Sequence, residues 1–216
     1  MLSRIAATVV PALGRLTTST DLTGPVAPGI LVANHTSLAD PGIVLAALRS
    51  LGIEPVVLAT AGLWRVPVLG QLLERGGHVP VHRRTARAAD ALDAAAEALG
   101  AGRHVLVYGE GRLPRRADAA EAAPEPFRSG PARLALASGA PVVPVGQAGA
   151  RRVVSGGRAK QVAGLLTAPV RRPRLHVHVG APLHLPAGTA TATATAHRAV
   201  EAAWRVAVGH LGDQNC

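Results

Sequence analysis

An α/β fold, with a mostly parallel central sheet flanked by helices, is predicted by three observations. Short apolar runs alternate along the chain with alanine- and leucine-rich stretches, Gly, Pro and Asp mark the boundaries between them, and 216 residues with 48% hydrophobic content suffice for one domain core. Residues 29–216 are read as that single domain, and residues 1–28 as an amphipathic or peripheral N-terminal segment. The opening MLSRIAATVVPALGRL has a short apolar core interrupted by Pro11 and lacks a cleavage site. It reads either as a poor signal peptide or as a helix lying on a membrane or on the domain. No apolar run approaches the roughly 18 residues that a membrane-spanning helix needs.

The first buried strand is GILVA, Gly29 to Ala33. Asp40 and Pro41 then open a helix, with Asp at the N-cap and Pro at the first position, which runs through GIVLAALRSL and stops near Gly52. PVVLA, Pro55 to Ala59, is the second strand. A small helical hairpin containing Leu63, Trp64, Val66, Val68 and Leu69 leads to the third, Val79 to Val81. A helix from about Thr85 to Leu99 is ended by Gly100 and Gly102, and HVLVY, His104 to Tyr108, follows as the fourth strand. After a polar loop to about Pro126, GPARLALAS resumes a helix from Gly130 to Ser138, and PVVPV gives the fifth strand over Val142, Val143 and Val145. LHVHV, Leu175 to Val179, reads as a later edge strand, AGTATATATA as a low-complexity approach, and the chain closes with a helix through about Ala207. In such folds ligands gather beyond the carboxyl ends of the strands. His35, Arg83 and Glu110 each fall just after one.

The formal net charge is +10, and its distribution carries more information than its size. Between Glu125 and Glu201 there is no acidic residue, yet Arg128, Arg133, Arg151, Arg152, Arg158, Lys160, Arg171, Arg172, Arg174 and Arg198 lie there. That asymmetry suits either an anionic partner or a solvated basic face. Nucleic acid is disfavoured as the partner, because Trp64, Tyr108, Phe127 and Trp204 are the only aromatic residues and leave few platforms for base stacking. The single cysteine, Cys216, permits no intrachain disulfide, which points to a reducing compartment. His176, His178 and His184 lack neighbouring cysteine or acidic ligands in the sequence, so no metal and no cofactor is assigned.

Chemistry centres on Asn34-His35-Thr36-Ser37-Leu38-Ala39-Asp40, between a buried strand and a helix start. Five residues apart on one helix, His35 and Asp40 would not share a face. Placed in a turn and at a helix entrance, they can meet. An imidazole oriented by a carboxylate can take the proton of an attacking hydroxyl, with no covalent acyl-enzyme. Helix capping by Asp40 explains the same residue equally well.

AN-HTSLAD-P, then GGHVPVHRR, VYGEGRLPR and FRSGPARLALASGAPVVPVG, together resemble the PlsC-type glycerolipid acyltransferases, the lysophosphatidate acyltransferase family. Four blocks appear in the family's order from about Gly29 to Gly146, and RPRLHVHVGAPLHL is similar to its late strand. The resemblance implies a glycerolipid acyltransferase-like fold and transfer of an acyl group from acyl-CoA or acyl-carrier protein to a lysophospholipid hydroxyl, 1-acylglycerol-3-phosphate foremost, in phospholipid biosynthesis. It implies His35 and Asp40 as catalytic residues, Arg83 at the acceptor phosphate, and Glu110, Gly111 and Arg112 around the glycerol phosphate. Glu110-Gly111-Arg112-Leu113 departs from the usual Glu-Gly-Thr-Arg, and Thr60, Gly62 and His82 replace residues common in the family. These departures keep open another acceptor, such as a different lysophospholipid, an amino-lipid or a natural product, and a non-catalytic lipid-binding module. The expected partners are the two substrates and an anionic membrane surface, with acyl-carrier protein as one donor. The expected location is cytoplasmic, peripheral on the inner face of the cell membrane.

Overall fold

A computed structural model describes residues 1–25, 27–82, 89–114 and 118–212. Seven strands form one sheet: β1 (Arg15–Thr20), β2 (Ile30–Ala33), β3 (Val56–Thr60), β4 (Val79–Val81), β5 (Val105–Tyr108), β6 (Val142–Ala148) and β7 (Arg174–Val179). Their spatial order is β1-β7-β6-β2-β5-β3-β4. All neighbours run parallel except β6 and β7, so the sheet is mostly parallel, as the alternation of elements predicts.

Helices α1 (Leu2–Leu13), α2 (Asp40–Ser50), α3 (Leu69–Arg75), α4 (Asp90–Gly100), α5 (Gly130–Ser138), α6 (Arg158–Arg171) and α7 (Thr189–Gly212) surround it. Alternate residues of the central strands feed opposite faces, as the two-residue period of a strand dictates. Leu31, Ala33, Val57, Leu106, Val143 and Val145 pack with Ile43, Val44, Ala47 and Leu48 of α2. Ile30, Val32, Val56, Leu58, Val105 and Val142 pack with Ala91, Ala95 and Leu99 of α4 and Leu134 and Ala135 of α5. Helix α7 lies across β6, and there Gly146 is the point of closest approach. A Cβ on Gly146 would stand 2.1 Å from the backbone carbon of Ala203.

The structure differs from the sequence reading at both ends of the chain. The sheet begins at Arg15, inside the segment set apart as residues 1–28, and β1 is its edge strand. LHVHV is therefore not an edge. It lies between β1 and β6, where Thr17 and Ser19 of β1 bond the buried imidazoles of His176 and His178. AGTATATATA is not a loose approach, because α7 begins within it at Thr189 and buries Ala192, Ala196, Val200, Ala203 and Ala207 at spacings of three and four. Helix α6 had no counterpart in the sequence reading. Residues 85–88, the start of the helix predicted before β5, lie outside the described residues.

Gly146→Ala should lower stability by about 3 kcal/mol, because the clash is with backbone and cannot be relieved by a rotamer. Thermal unfolding followed by circular dichroism would show a midpoint reduced by roughly 10 °C.

Candidate active site

Sheet register brings the site together. Ala33 pairs with Tyr108 on one side and with Val145 on the other, so the segments leaving β2 and β5 emerge at the same end of the sheet, beside the last residues of β6. His35 lies two residues past β2, and Glu110 two past β5. Asn34, fully buried, fixes the exit: its Oδ1 accepts from the Gln147 backbone N–H at 2.8 Å, and its Nδ2 donates to the Gln147 carbonyl at 3.1 Å. Gln147 Nε2 in turn donates to Thr36 Oγ1 at 2.9 Å. A buried amide paired with backbone in this way satisfies groups that the end of the strand ladder would otherwise leave unbonded.

The turn from His35 to Asp40 folds back on itself. His35 Nδ1 lies 2.9 Å from Asp40 Oδ2, and the same oxygen accepts the backbone N–H of Thr36 and, at 2.8 Å, that of Ser37. Asp40 is fully buried. It is the first residue of α2 and makes no capping bond to that helix; Ala39 holds the cap position. The capping explanation of Asp40 therefore gives way to the orienting one, since its carboxylate reaches back to the turn instead of forward to the helix. With Nδ1–H committed to Asp40, Nε2 of His35 is the nitrogen left to accept a proton. The His35 ring stacks on Tyr108, with centroids 4.3 Å apart and planes inclined by 29°.

Glu110 supports the same histidine from below: its Oε2 accepts the His35 backbone N–H at 3.1 Å. Burial pushes the Glu110 carboxyl up to about 8, and the neighbouring Asp40 and Glu125 charges add to the rise, against the opposing pull of backbone N–H groups. Burial, followed by the Asp40 and Glu110 charges, likewise raises the Tyr108 phenol well above its ordinary range. Gly111 sits at φ 67°, a left-handed conformation that favours glycine. At Gly109 a Cβ would lie 2.3 Å from the Phe127 ring.

His35, Thr36, Glu110, Pro114, Glu125 and Arg151 line a cleft of ≈ 100 Å³. Arg112, expected near the glycerol phosphate, is exposed and pairs with Glu125 at 3.3 Å. Arg83 lies outside the described residues, as do Arg115 and Arg116. Three contributors were not singled out from sequence. Tyr108 is the last residue of β5, a position that its place in VYGEG could have flagged. Gln147 gave no signal. Arg151 had been counted with the basic face, yet it is buried, with Nη1 donating to the Thr36 carbonyl at 2.9 Å and Nη2 to that of Asp118. Phe127 also lines a larger apolar groove of ≈ 660 Å³ with Pro126, Ala190, Thr193, Ala194 and His197.

A carboxyl whose folded-state value is raised favours the protonated form, so its contribution to stability is complete below its unfolded value of 4.5 and is lost as pH rises through about 8. Glu110→Gln keeps an oxygen for the His35 N–H and removes the titration. Between about pH 5 and about pH 9 the thermal midpoint of wild type should therefore fall more than that of the variant.

The Acyltransferase family model matches residues 17–147. A chloroplastic 1-acyl-sn-glycerol-3-phosphate acyltransferase, BAT2 of Brassica napus, is 28% identical over 131 residues, which cover 60% of this chain and 36% of that relative. The chain thus spans little more than a third of that protein's length. Among solved structures, the 1-acyl-sn-glycerophosphate acyltransferase PlsC of Thermotoga maritima superposes with a TM-score of 0.74 at 17% identity, over 100% of this chain and 80% of that one, and so shares its fold. With the family model spanning more than half of the residues and including the His35–Asp40 turn and Glu110, the chain belongs to the acyltransferase family.

Proposed function

We propose that this acyltransferase moves an acyl group from a thioester, acyl-CoA or acyl-carrier protein, to the hydroxyl of a lysophospholipid, with 1-acylglycerol-3-phosphate as the leading acceptor. The observation that carries the reading is the 2.9 Å contact of His35 Nδ1 with buried Asp40, at the mouth of a cleft that also holds Glu110 and Arg151. His35 Nε2 takes the acceptor's hydroxyl proton as its oxygen forms a bond to the thioester carbonyl carbon. The tetrahedral intermediate then collapses, the carbon–sulfur bond breaks, and the imidazolium returns the proton to the departing thiolate. Asp40 holds the reactive tautomer and stabilises the transient imidazolium. Glu110, largely protonated near neutral pH, adds little negative charge beside Asp40. The apolar groove along Phe127 suits an acyl chain. The curated relative's name supports a 1-acylglycerol-3-phosphate acceptor, and with it a place in phospholipid synthesis.

One observation favours a different acceptor on the same chemistry. Arg112 stands one place earlier than the arginine of the usual family block, and Glu125 occupies it in an ion pair. A phosphate at Arg112 would meet the negative charge of that carboxylate beside it, whereas an uncharged or amino acceptor would not.

Thiol release from palmitoyl-CoA, with and without lysophosphatidate, tests the reading. His35→Ala should abolish acceptor-dependent release in a folded protein, and Asp40→Asn should lower kcat by roughly 10³-fold or more. Release that persists in His35→Ala overturns the mechanism.

Arg83→Ala and Arg112→Ala separate the acceptors. If the acceptor carries a phosphate, one or both should raise its KM about tenfold or more with kcat little changed, as expected for a group remote from the reacting carbonyl. Equal turnover of acceptors with and without the phosphate would assign the enzyme to the second class.

A further inference from the structure

Arg151 is the one buried arginine among the described residues, 4% exposed. Taking a guanidinium out of water is costly unless its N–H groups are well bonded, so the partners it meets indicate its use. Two of them are backbone carbonyls. Nη1 donates to that of Thr36 at 2.9 Å, and Nη2 to that of Asp118, whose half-exposed carboxylate stands 3.9 Å away. The chain leaves β6 through Gly149 at φ 93°, where a Cβ would meet the Arg174 carbonyl oxygen at 2.2 Å. A 3₁₀ turn, Ala150–Arg152, follows at once. Arg151 is thus carried on backbone fixed tightly against β7, and it lines the cleft with His35, Thr36 and Glu110.

The peptide that Arg151 grips is the one joining Thr36 to Ser37. Its two ends have different partners: the Ser37 N–H donates to Asp40 Oδ2 at 2.8 Å, and the Thr36 carbonyl accepts from Arg151. A peptide unit is planar and rigid, so fixing its oxygen fixes the direction of its N–H. A cationic donor on that oxygen bonds about twice as strongly as a neutral one, and it polarises the unit so that the N–H bonds the carboxylate better. Without Arg151 the carbonyl of the buried Thr36 would lose this donor, and the unit would gain by rotating toward another. Rotation would take the N–H away from Asp40 Oδ2, the oxygen that also faces His35 Nδ1 at 2.9 Å.

We infer that Arg151 is a positioning residue for the imidazole: through the Thr36–Ser37 peptide it holds Asp40 Oδ2 where that oxygen keeps the His35 proton on Nδ1. The inference rests on His35 being the base proposed above. Its influence passes from guanidinium to carbonyl, from amide to carboxylate and from carboxylate to ring, so the tautomer of His35 is the quantity it controls.

Proton–nitrogen correlation spectra of protein labelled at its histidine nitrogens, with the His35 signals assigned by their loss in His35→Ala, report that tautomer. At a pH where the ring is neutral, wild type should carry the His35 proton on Nδ1, and Arg151→Met should put about a third or more of the molecules in the Nε2–H form. Arg151→Gln, polar but shorter than arginine, is the second variant should Arg151→Met not fold, with the same expected spectrum. Arg151→Lys keeps a cationic donor and should restore the Nδ1–H form. In thiol release Arg151→Met should lose about tenfold or more in kcat, with the KM of each substrate within about twofold of wild type, and Arg151→Lys should recover most of the loss. A residue serving stability alone would lower the folded fraction and leave the spectrum of the folded molecules unchanged. An identical His35 tautomer in wild type and in the folded variant therefore overturns the inference, as does a wild-type ring in the Nε2–H form. The spectra need no substrate, so failure of wild type to release thiol would count against the proposed chemistry and leave the positioning to be decided by the tautomer.

Discussion

A single carboxylate oxygen, Oδ2 of Asp40, organises the turn on which the site depends. It accepts the backbone N–H groups of Thr36 and Ser37 and faces His35 Nδ1, in a position with no access to water. An ionic acceptor in such surroundings bonds more strongly than a neutral one, and removing it would strand several buried donors at once. The conformation of the turn and the orientation of the imidazole are therefore set by the same bonds. Outer contacts extend this arrangement: Ser37 to Val154, Arg151 to Thr36, and Gln147 to Thr36 tie the turn to β6 and to the segment just after it.

Parallel pairing of β5, β2 and β6 makes that possible. Their carboxyl ends lie side by side, so residues far apart in sequence leave the sheet at one place with no further folding required. Apolar strands buried on both faces fix the register, because slipping by one residue would exchange the α2-facing and α4-facing sets. The position of Glu110 under His35 is thus a consequence of core packing as much as of its own hydrogen bond.

What sequence revealed followed how local each signal is. His35 and Asp40 sit within one turn, and Glu110 and Gly111 follow a strand recognisable from HVLVY; these could be read directly. Tyr108, Gln147 and Arg151 act on the turn from far along the chain, and nothing around Arg151 distinguished a buried arginine from its exposed or partly exposed basic neighbours. Strand β1 was missed because RLTTST has no apolar alternation: Leu16 packs against the core, while Thr17 and Ser19, on the other face, bond the histidines of β7. In α7, threonine and alanine alternate in the sequence with a period of two, which hid the four-residue spacing of the alanines that are buried. The amphipathic pattern of α6 was obscured by Gly164 and Pro169, the first of which is there because the helix passes close to Val153.

The pairing of β1 with β7 has a consequence for how the chain acquires its structure. Thr17 meets His176 across a separation of 159 residues, so an early strand gains its hydrogen-bonding neighbour only when the late one arrives. Such closure costs chain entropy before it returns any, and it slows folding relative to local contacts. During synthesis β1 would wait with an open edge while β2, β5, β3 and β4 assemble, and the sheet would be completed last at this end. Strands β1 and β7 run opposite to the other five, so they form a separable late unit of the fold. The side chains of β1 itself, Thr17, Thr18, Ser19 and Thr20, give that waiting edge a polar character that protects it from pairing with other chains.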